Sequence, residues 1–219
     1  ATIFVTTGCI TSGQLPWSQQ LGYIFQNTRD QVFLSSFGGQ VTLPIQTKMQ
    51  RRHAYSYVKR FIADMVHMER QDEIQKLSQQ LSVILPEDRM MDWDDINVMV
   101  KNGFEIGAHT FSHSLLARIP SDHAREEMLQ SLADIKSRID NPNVPFCFPG
   151  GSYSESLIRE VQSLKFSSVF VPNRRKRYNN HNNSTPFNLS RTGLPNASAL
   201  YLEAELDGPF HSIRNLYRK

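Results

Sequence analysis

The sequence predicts an α/β fold built on parallel strands. Three observations carry that prediction. Short apolar runs at Phe104–Ala108, Val144–Phe148 and Ser167–Val171 alternate with helical patterns at Ser121–Ile139 and Ser154–Leu164. The links between them are short, which implies parallel strands joined by right-handed crossovers. At 219 residues the chain is long enough to bury a core without staples, as one large domain or two small ones. The pattern is compatible with an open α/β sheet or a βα barrel. In either, ligands gather beyond the carboxyl ends of the strands.

Each element has its own signal. Residues 1–6 open with Ala1-Thr-Ile-Phe-Val5, a buried strand. The next 20 residues are mixed and contain Pro16 and Trp17. Gln31–Leu34 and Gln40–Leu43 flank Ser35-Ser-Phe-Gly38-Gly39, which predicts a hairpin with a Gly-Gly turn. From Gln50 to Leu81 the pattern is helical, with Val58, Phe61, Ile62, Met65 and Val66 at i, i+3, i+4, i+7 and i+8. Asp92 is the expected N-cap of another helix, with Asp94 and Asp95 in its first turn. The helix at Ser121–Ile139 carries Met128, Leu132, Ile135 and Ile139 on one face, and Ser154–Leu164 carries Leu157, Val161 and Leu164. Asn188–Thr192 is a further strand, and Ser198–Leu216 a closing helix weakened at Gly208-Pro209.

Bulk properties exclude several classes. The chain is 39% hydrophobic and 21% charged, with a mean hydropathy of −0.42, so it is neither disordered nor fibrous. No apolar run approaches the ~20 residues that span a bilayer. A net charge of +3 is too mild to imply nucleic acid. The run Arg174-Arg-Lys-Arg177 lies in an Asn-rich stretch and reads as a solvated loop, without the alternating aromatics of single-strand binders. Cys9 and Cys147 form no disulfide framework and lack metal-ligand spacing, so they read as buried thiols. A strand that opens at residue one is expected to have lost native sequence upstream, and any leader with it, so no localisation is read.

The chemistry concentrates in Glu105-Ile-Gly-Ala-His109-Thr-Phe-Ser-His113, a strand running into two histidines four apart. If residues 109–113 coil, positions i and i+4 face the same way. Two imidazoles can then share one Zn²⁺ at roughly 2.0–2.1 Å each, although a catalytic zinc usually takes a third protein ligand. The structural alternative is a pair of histidines held by Thr110 or Ser112. Phe146-Cys-Phe-Pro149-Gly150-Gly151-Ser-Tyr153 follows the next strand. Its proline fixes the turn, its glycines admit a substrate close to the backbone, and the N–H of Gly150 is placed to bind an oxyanion. An ordinary strand-to-helix turn capped by Ser154 explains the same residues.

In this order the motifs resemble those of the polysaccharide deacetylase family, the nodulation-type carbohydrate de-N-acetylases. The opening strand Ala1–Thr7 resembles the one that follows the family's first catalytic motif. Met91-Asp-Trp93-Asp-Asp-Ile is similar to the family's lead-in to an H-[ST]-x-x-H motif, which His109-Thr110-Phe-Ser-His113 matches in full. Phe146-Cys-Phe-Pro149-Gly-Gly151 resembles an F-A-Y-P-x-G variant of the third motif, and Leu189-Ser-Arg191-Thr-Gly193-Leu-Pro195 the closing strand. The resemblance implies a distorted (β/α) barrel lacking its first strand and helix. It implies a single domain over 1–219 with a helical and hairpin insertion at about 8–90. It implies a divalent metal, usually zinc, on His109 and His113, an oxyanion contact at Gly150, and substrate contacts from Pro149, Gly151 and Tyr153. The implied reaction removes N-acetyl or O-acetyl groups from a polysaccharide or oligosaccharide, with no nucleic-acid partner.

The chain departs from the pattern in three places. The T-F-D-D-G motif, source of the metal-binding Asp and the base, is expected upstream of Ala1. The fragment is therefore expected to be inactive and to self-associate through its first strand. Cys147 stands about where the third motif often has arginine. No L-x-H supplies a general acid, and His181 and His211 lack its flanks. Asp92, Asp94 and Asp95 are explained by helix capping. The rival functions are a non-catalytic glycan- or partner-binding member of the same fold, and an unrelated α/β metalloprotein.

Overall fold

Parallel pairing sets the architecture. The computed structural model describes residues 1–87, 90–140, 143–172 and 185–191. Five strands form one sheet: β1 (Thr2–Val5), β4 (Glu105–Ala108), β5 (Pro145–Cys147), β6 (Ser168–Pro172) and β7 (Leu189–Arg191), in that spatial order. Every neighbouring pair is parallel, with Phe4 beside Gly107, Ala108 beside Phe146, Cys147 beside Phe170 and Val171 beside Ser190. The parallel α/β class is as the sequence predicts. A barrel requires its terminal strands to bond each other. Among the described residues β1 and β7 stay at opposite edges, so the sheet is open there, in contrast to the distorted barrel expected from the resemblance.

Two helices make the crossovers. In α6 (Ser121–Arg138), Ala124, Met128, Leu132 and Ile135 are buried, the face the periodicity predicts. In α7 (Glu155–Ser163), Leu157 and Val161 are buried, and the Ser154 hydroxyl accepts from Leu157 N at 3.2 Å as N-cap. Ahead of β4, α5 (Trp93–Lys101) starts at Asp92, whose carboxylate accepts from the Asp94 and Asp95 amides, while Asp95 reciprocates on the Asp92 amide. That reciprocal arrangement is a capping box. These helices and the sheet share one core containing Ile106, Phe146, Phe148 and Val169.

A second core lies in residues 17–83, within the segment expected as an insertion. It is built from α2 (Trp17–Asn27), the antiparallel hairpin of β2 (Val32–Ser35) and β3 (Val41–Pro44), α3 (Lys48–Ile62) and α4 (His67–Gln80). The hairpin turns at Gly38 and Gly39, both at positive φ. Two differences from the sequence reading stand out. The stretch read as mixed contains α1 (Thr7–Ser12) and α2. Trp17, Gln20, Leu21, Ile24 and Phe25 are the buried face of α2, and Pro16 precedes its first turn, where proline is tolerated. The single helical stretch at 50–81 is two helices, because the chain turns at Ala63–Val66 and the Arg70 guanidinium takes the Met65 carbonyl at 2.6 Å. The expected strand of residues 188–192 is β7, whereas the closing helix at 198–216 and the basic run 174–177 lie outside the described residues.

Gly107 explains how β1 and β4 come together. A Cβ there would stand 2.6 Å from the Phe4 ring and 2.9 Å from the Pro145 carbonyl oxygen. The Phe4 ring lies over that gap and meets Phe170 edge-on at 5.3 Å. Gly107→Ala is therefore expected to lower stability by about 1–3 kcal/mol, the usual cost of overpacking a filled interior. Urea denaturation checks this, and an unchanged midpoint would show that the Phe4 ring moves aside freely.

Candidate active site

The two histidines follow β4, at the carboxyl edge of the sheet. The His109 amide still donates to Val5 O at 2.9 Å, extending the ladder by one residue. The chain then turns sharply. Thr110 and His113 both have positive φ, 66° and 62°, a region that a β-branched residue rarely enters. Residues 109–113 therefore do not coil as a helix, and i,i+4 spacing is not what aligns the rings. The two left-handed residues bring them together, with ring centroids 5.0 Å apart at 71°. Such backbone strain persists only where surrounding contacts hold it.

Those contacts converge on one carboxylate. Glu127, on α6, is buried beneath the turn. It accepts from the Ser112 amide at 2.8 Å, from the Ser112 hydroxyl, and from the Ser114 hydroxyl at 2.9 Å. The Ser114 oxygen accepts in turn from the Arg70 guanidinium at 2.9 Å. Arg70, only 1% exposed, stacks over the Trp17 ring at 5.0 Å, and the Trp17 indole N–H donates to the His113 carbonyl at 3.0 Å. From the other side, the Thr7 and Gly8 amides of α1 donate to the Thr110 and Phe111 carbonyls. A Cβ on Gly8 would lie 2.7 Å from the Phe111 oxygen, so that approach needs glycine. The serine between the histidines thus serves Glu127 and not the imidazoles.

The same frame sets the histidines' protonation. His109 Nδ1 lies 2.6 Å from the Cys147 carbonyl oxygen. A carbonyl only accepts, so the proton is on Nδ1 and the lone pair on Nε2. That is the tautomer by which a histidine usually ligates a metal. Burial pushes His109 down to about 4, and the neighbouring His113 adds to the shift. His113 is lowered too, by burial first and then by the Arg70 charge. Both rings are neutral near pH 7 and offer lone pairs. The His113 Nδ1 is buried and makes no hydrogen bond to another described residue.

The third-motif residues follow β5 on the same edge. Pro149–Gly151 form a short 3-10 turn in which the Gly151 amide closes on Phe148 O at 3.1 Å. The amide of Gly150, at the second position of that turn, has no intrahelical acceptor. Gly150 and Gly151 have φ of 58° and 64°, and Cβ atoms there would meet Leu115 at 2.9 Å and Pro172 at 2.6 Å. Tyr153 packs its ring 5.7 Å from Phe148. Sequence reasoning missed Glu127, Arg70, Trp17 and Arg191. The Arg191 charge, at the end of β7, reaches His109 and Cys147. A glutamate between helix residues carries no signal of burial, whereas Ser112 was visible as a small polar residue between the histidines.

Other candidates lie elsewhere or are chemically quiet. Asp92, Asp94 and Asp95 serve the α5 cap. Burial and the nearby Glu127 charge push the Cys9 thiol up to about 12, and burial raises Cys147. His181 and His211 lie outside the described residues. Among the described residues no group of three His, Cys, Asp or Glu side chains converges as a metal site. Two neutral imidazoles have the chemistry of two ligands of a divalent cation, and among the described residues no third such ligand stands with them.

Residues 51–169 match the model of the polysaccharide deacetylase family, more than half of the chain. The chain belongs to that family. The match includes both histidines, Glu127 and the Pro149–Gly151 turn, so this edge of the sheet is the polysaccharide deacetylase segment of the protein. No curated protein matches the chain. Among solved structures, a de-N-acetylase from Aggregatibacter actinomycetemcomitans is similar at 14% identity with a TM-score of 0.45, covering 55% of each chain. The chain thus spans about half the length of that structure.

Two outcomes are expected here. Glu127→Gln removes the charge opposite buried Arg70 and places an amide N–H₂ among the serine donors. A loss of about 3–5 kcal/mol in urea denaturation is expected, the scale of breaking a buried ion pair. A loss under ~1 kcal/mol would show the network to be incidental. For His109, the ordinary value is ~6.5 and the folded value is lower. Between pH 6.5 and about 4 the unfolded chain binds a proton that the folded chain does not, so stability falls as pH falls through that window. His109→Asn should flatten this slope, and ¹⁵N NMR should still show the neutral Nδ1–H ring at pH 5.5.

Proposed function

We propose that this chain carries the carbohydrate de-acetylation site of a metal-dependent polysaccharide deacetylase. The observation that carries the reading is the His109 tautomer. Its Nδ1–H is tied to the Cys147 carbonyl of the adjacent strand, which leaves Nε2 as a ligand beside the second neutral imidazole. Family membership supports a polysaccharide as substrate and hydrolysis as the reaction class.

In this reading His109 and His113 hold a divalent cation, with zinc the natural choice for two imidazoles. Such a cation, when bound, polarises the acetyl carbonyl and lowers the pKa of a bound water. The remaining work falls to the chain. The Gly150 N–H binds the acetyl oxygen as it gains negative charge. Pro149 and Gly151 keep that amide in place and leave the sugar room to approach. Tyr153 lines the sugar's path. The buried Glu127–Ser114–Arg70 network holds the strained turn and so holds the imidazoles to one geometry. A general base is worth about 10²–10⁴-fold. Among the described residues no carboxylate joins the two histidines as a metal-holding group, because Glu127 is engaged by Ser112 and Ser114.

The lack of a third described ligand also supports a second reading, a member of the family that binds acetylated glycans without cleaving them. Acetate release from N-acetylglucosamine oligomers, with added Zn²⁺ or Co²⁺, separates the two. The protein should release acetate, and His113→Ala should reduce the rate at least 10²-fold, as loss of a metal ligand would. Inactivity of the protein on every acetylated glycan, with binding retained, would establish the second reading.

A further inference from the structure

A groove of about 1000 Å³ runs between α2 and α3. This is at the upper end of ligand-pocket sizes. Its walls differ in chemistry. Lys48, Arg51 and Arg52 line the α3 side, Ser18, Gln19 and Gln26 the α2 side, and the Tyr23 and Tyr55 side chains lie along it. No aspartate or glutamate lines it. Helix α3 carries five Lys or Arg and no acid in 15 residues, in a chain whose net charge is only +3, so the rest of the molecule is net negative. Among the described residues, none of Lys48, Arg51, Arg52 and Lys59 forms a salt bridge. Arg51 is fixed by donating to the Ile45, Gln26 and Thr28 carbonyls at 2.8, 2.6 and 2.9 Å, which ties α3 to the end of α2.

Two further observations give the groove a direction and a purpose. Lys48, Arg52, Tyr55 and Lys59 follow i, i+4, i+7 and i+11, one face of the helix. The last of them, Lys59, places its ammonium 5.3 Å from the Tyr55 ring and 6.0 Å from the Trp17 ring, and Trp17 bonds the His113 carbonyl. The cationic stripe therefore leads from the groove to the histidine turn. Gly22 lines the groove from the middle of α2, where glycine weakens a helix relative to alanine. The protein's own packing does not require it: a Cβ there would touch only Tyr55 Cε2, at an ordinary 3.8 Å. The missing side chain keeps the groove open.

We propose that this groove binds an acidic stretch of the polysaccharide, a chain of carboxylate-bearing sugars flanking the acetylated residue. The inference rests on the deacetylase reading for which end of the groove meets the scissile group. Carboxylates pair with Lys48 and Arg52. Sugar C–H faces lie on Tyr23 and Tyr55, and hydroxyls meet the Ser18, Gln19 and Gln26 side chains. A nucleic acid would use the cations equally well, and family membership favours a sugar polymer.

The test uses the His109→Ala/His113→Ala form of the chain, so that turnover does not intervene. The probe is a fluorescent hexasaccharide of alternating N-acetylglucosamine and glucuronic acid, compared with its carboxyl-reduced derivative and with a ten-nucleotide oligo-dT. The acidic probe should bind about tenfold more tightly than the reduced one, the scale of two partly exposed ion pairs, and that margin should shrink with salt. Lys48→Gln with Arg52→Gln should abolish the margin at unchanged melting temperature. Gly22→Phe should weaken both sugars by filling the groove. Equal affinity for the two sugars, a margin that survives the double substitution, or tighter binding of oligo-dT that the double substitution removes would each overturn the proposal. If the protein releases no acetate while the margin and its loss are observed, the deacetylase reading fails and the groove stands. If acetate is released at equal kcat/KM from acidic and reduced substrates and no binding margin exists, the groove fails and the deacetylase reading stands.

Discussion

A buried carboxylate under a strained turn is the contact on which the site depends. Glu127 has lost its water, and three donors from Ser112 and Ser114 replace it. Those donors come from the five-residue segment that must hold two left-handed residues, Thr110 and His113. Desolvating a carboxylate is costly unless it is fully bonded. The same bonds therefore satisfy the charge and hold the turn, and neither arrangement is stable without the other. Arg70 completes the balance by placing a buried cation against Ser114. Burial brings its ordinarily high pKa down to about 10, with Glu127 opposing that shift, so it stays charged.

This network also joins the two cores of the molecule. Glu127 belongs to the sheet-packing helix α6, while Arg70 and Trp17 belong to the smaller core of α2, α3, α4 and the hairpin. Leu115, just past the histidine turn, packs against that smaller core and would also meet any side chain placed on Gly150. The histidine turn is the seam between the cores. The carboxyl edge of a parallel sheet is where α/β proteins place their ligands. The polysaccharide deacetylase match spans both sides of the seam, from α3 to β6.

Polarity is partitioned in the same way. Glu127 and Arg70, beneath the histidines, are buried with charges that oppose one another, and the imidazoles are kept uncharged chiefly by burial. Free positive charge is displaced to α3, on the outer side of Trp17, where it remains solvated. Fixed cations beside the buried imidazoles would be costly, because like charges within a few ångströms of a protonated ring or a bound cation cost several kcal/mol in a poorly solvated setting, by an order-of-magnitude Coulomb estimate. Trp17 stands between the two regions, with its ring toward Lys59 and Arg70 and its indole N–H toward the turn.

Local rules made much of this legible in advance. Periodicity exposed the buried faces of α6 and α7, capping chemistry placed the start of α5 at Asp92, and the Gly-Gly pair marked the hairpin. Apolar runs between short links implied parallel strands, and so put His109 and Pro149–Gly151 on one edge. Each of these depends on neighbours within a few residues, which is what a sequence displays. The helix α2 was missed because Pro16 and Trp17 obscured a sound apolar face, and the break at Ala63–Val66 because the contact that favours it comes from Arg70. What brings the two imidazoles together was beyond any local rule. The spacing was right but the mechanism was not helical coiling. Glu127 and Arg70 sit 15 and 44 residues from the serines they serve. A charged residue on a helix is ordinarily solvated, so nothing in its own neighbourhood marks it as buried. Sequence alone singled out the candidate side chains, His109, His113 and the Pro149–Gly151 turn. Only tertiary packing decided how they meet, because the strain in the turn is offset by partners that arrive from distant parts of the chain.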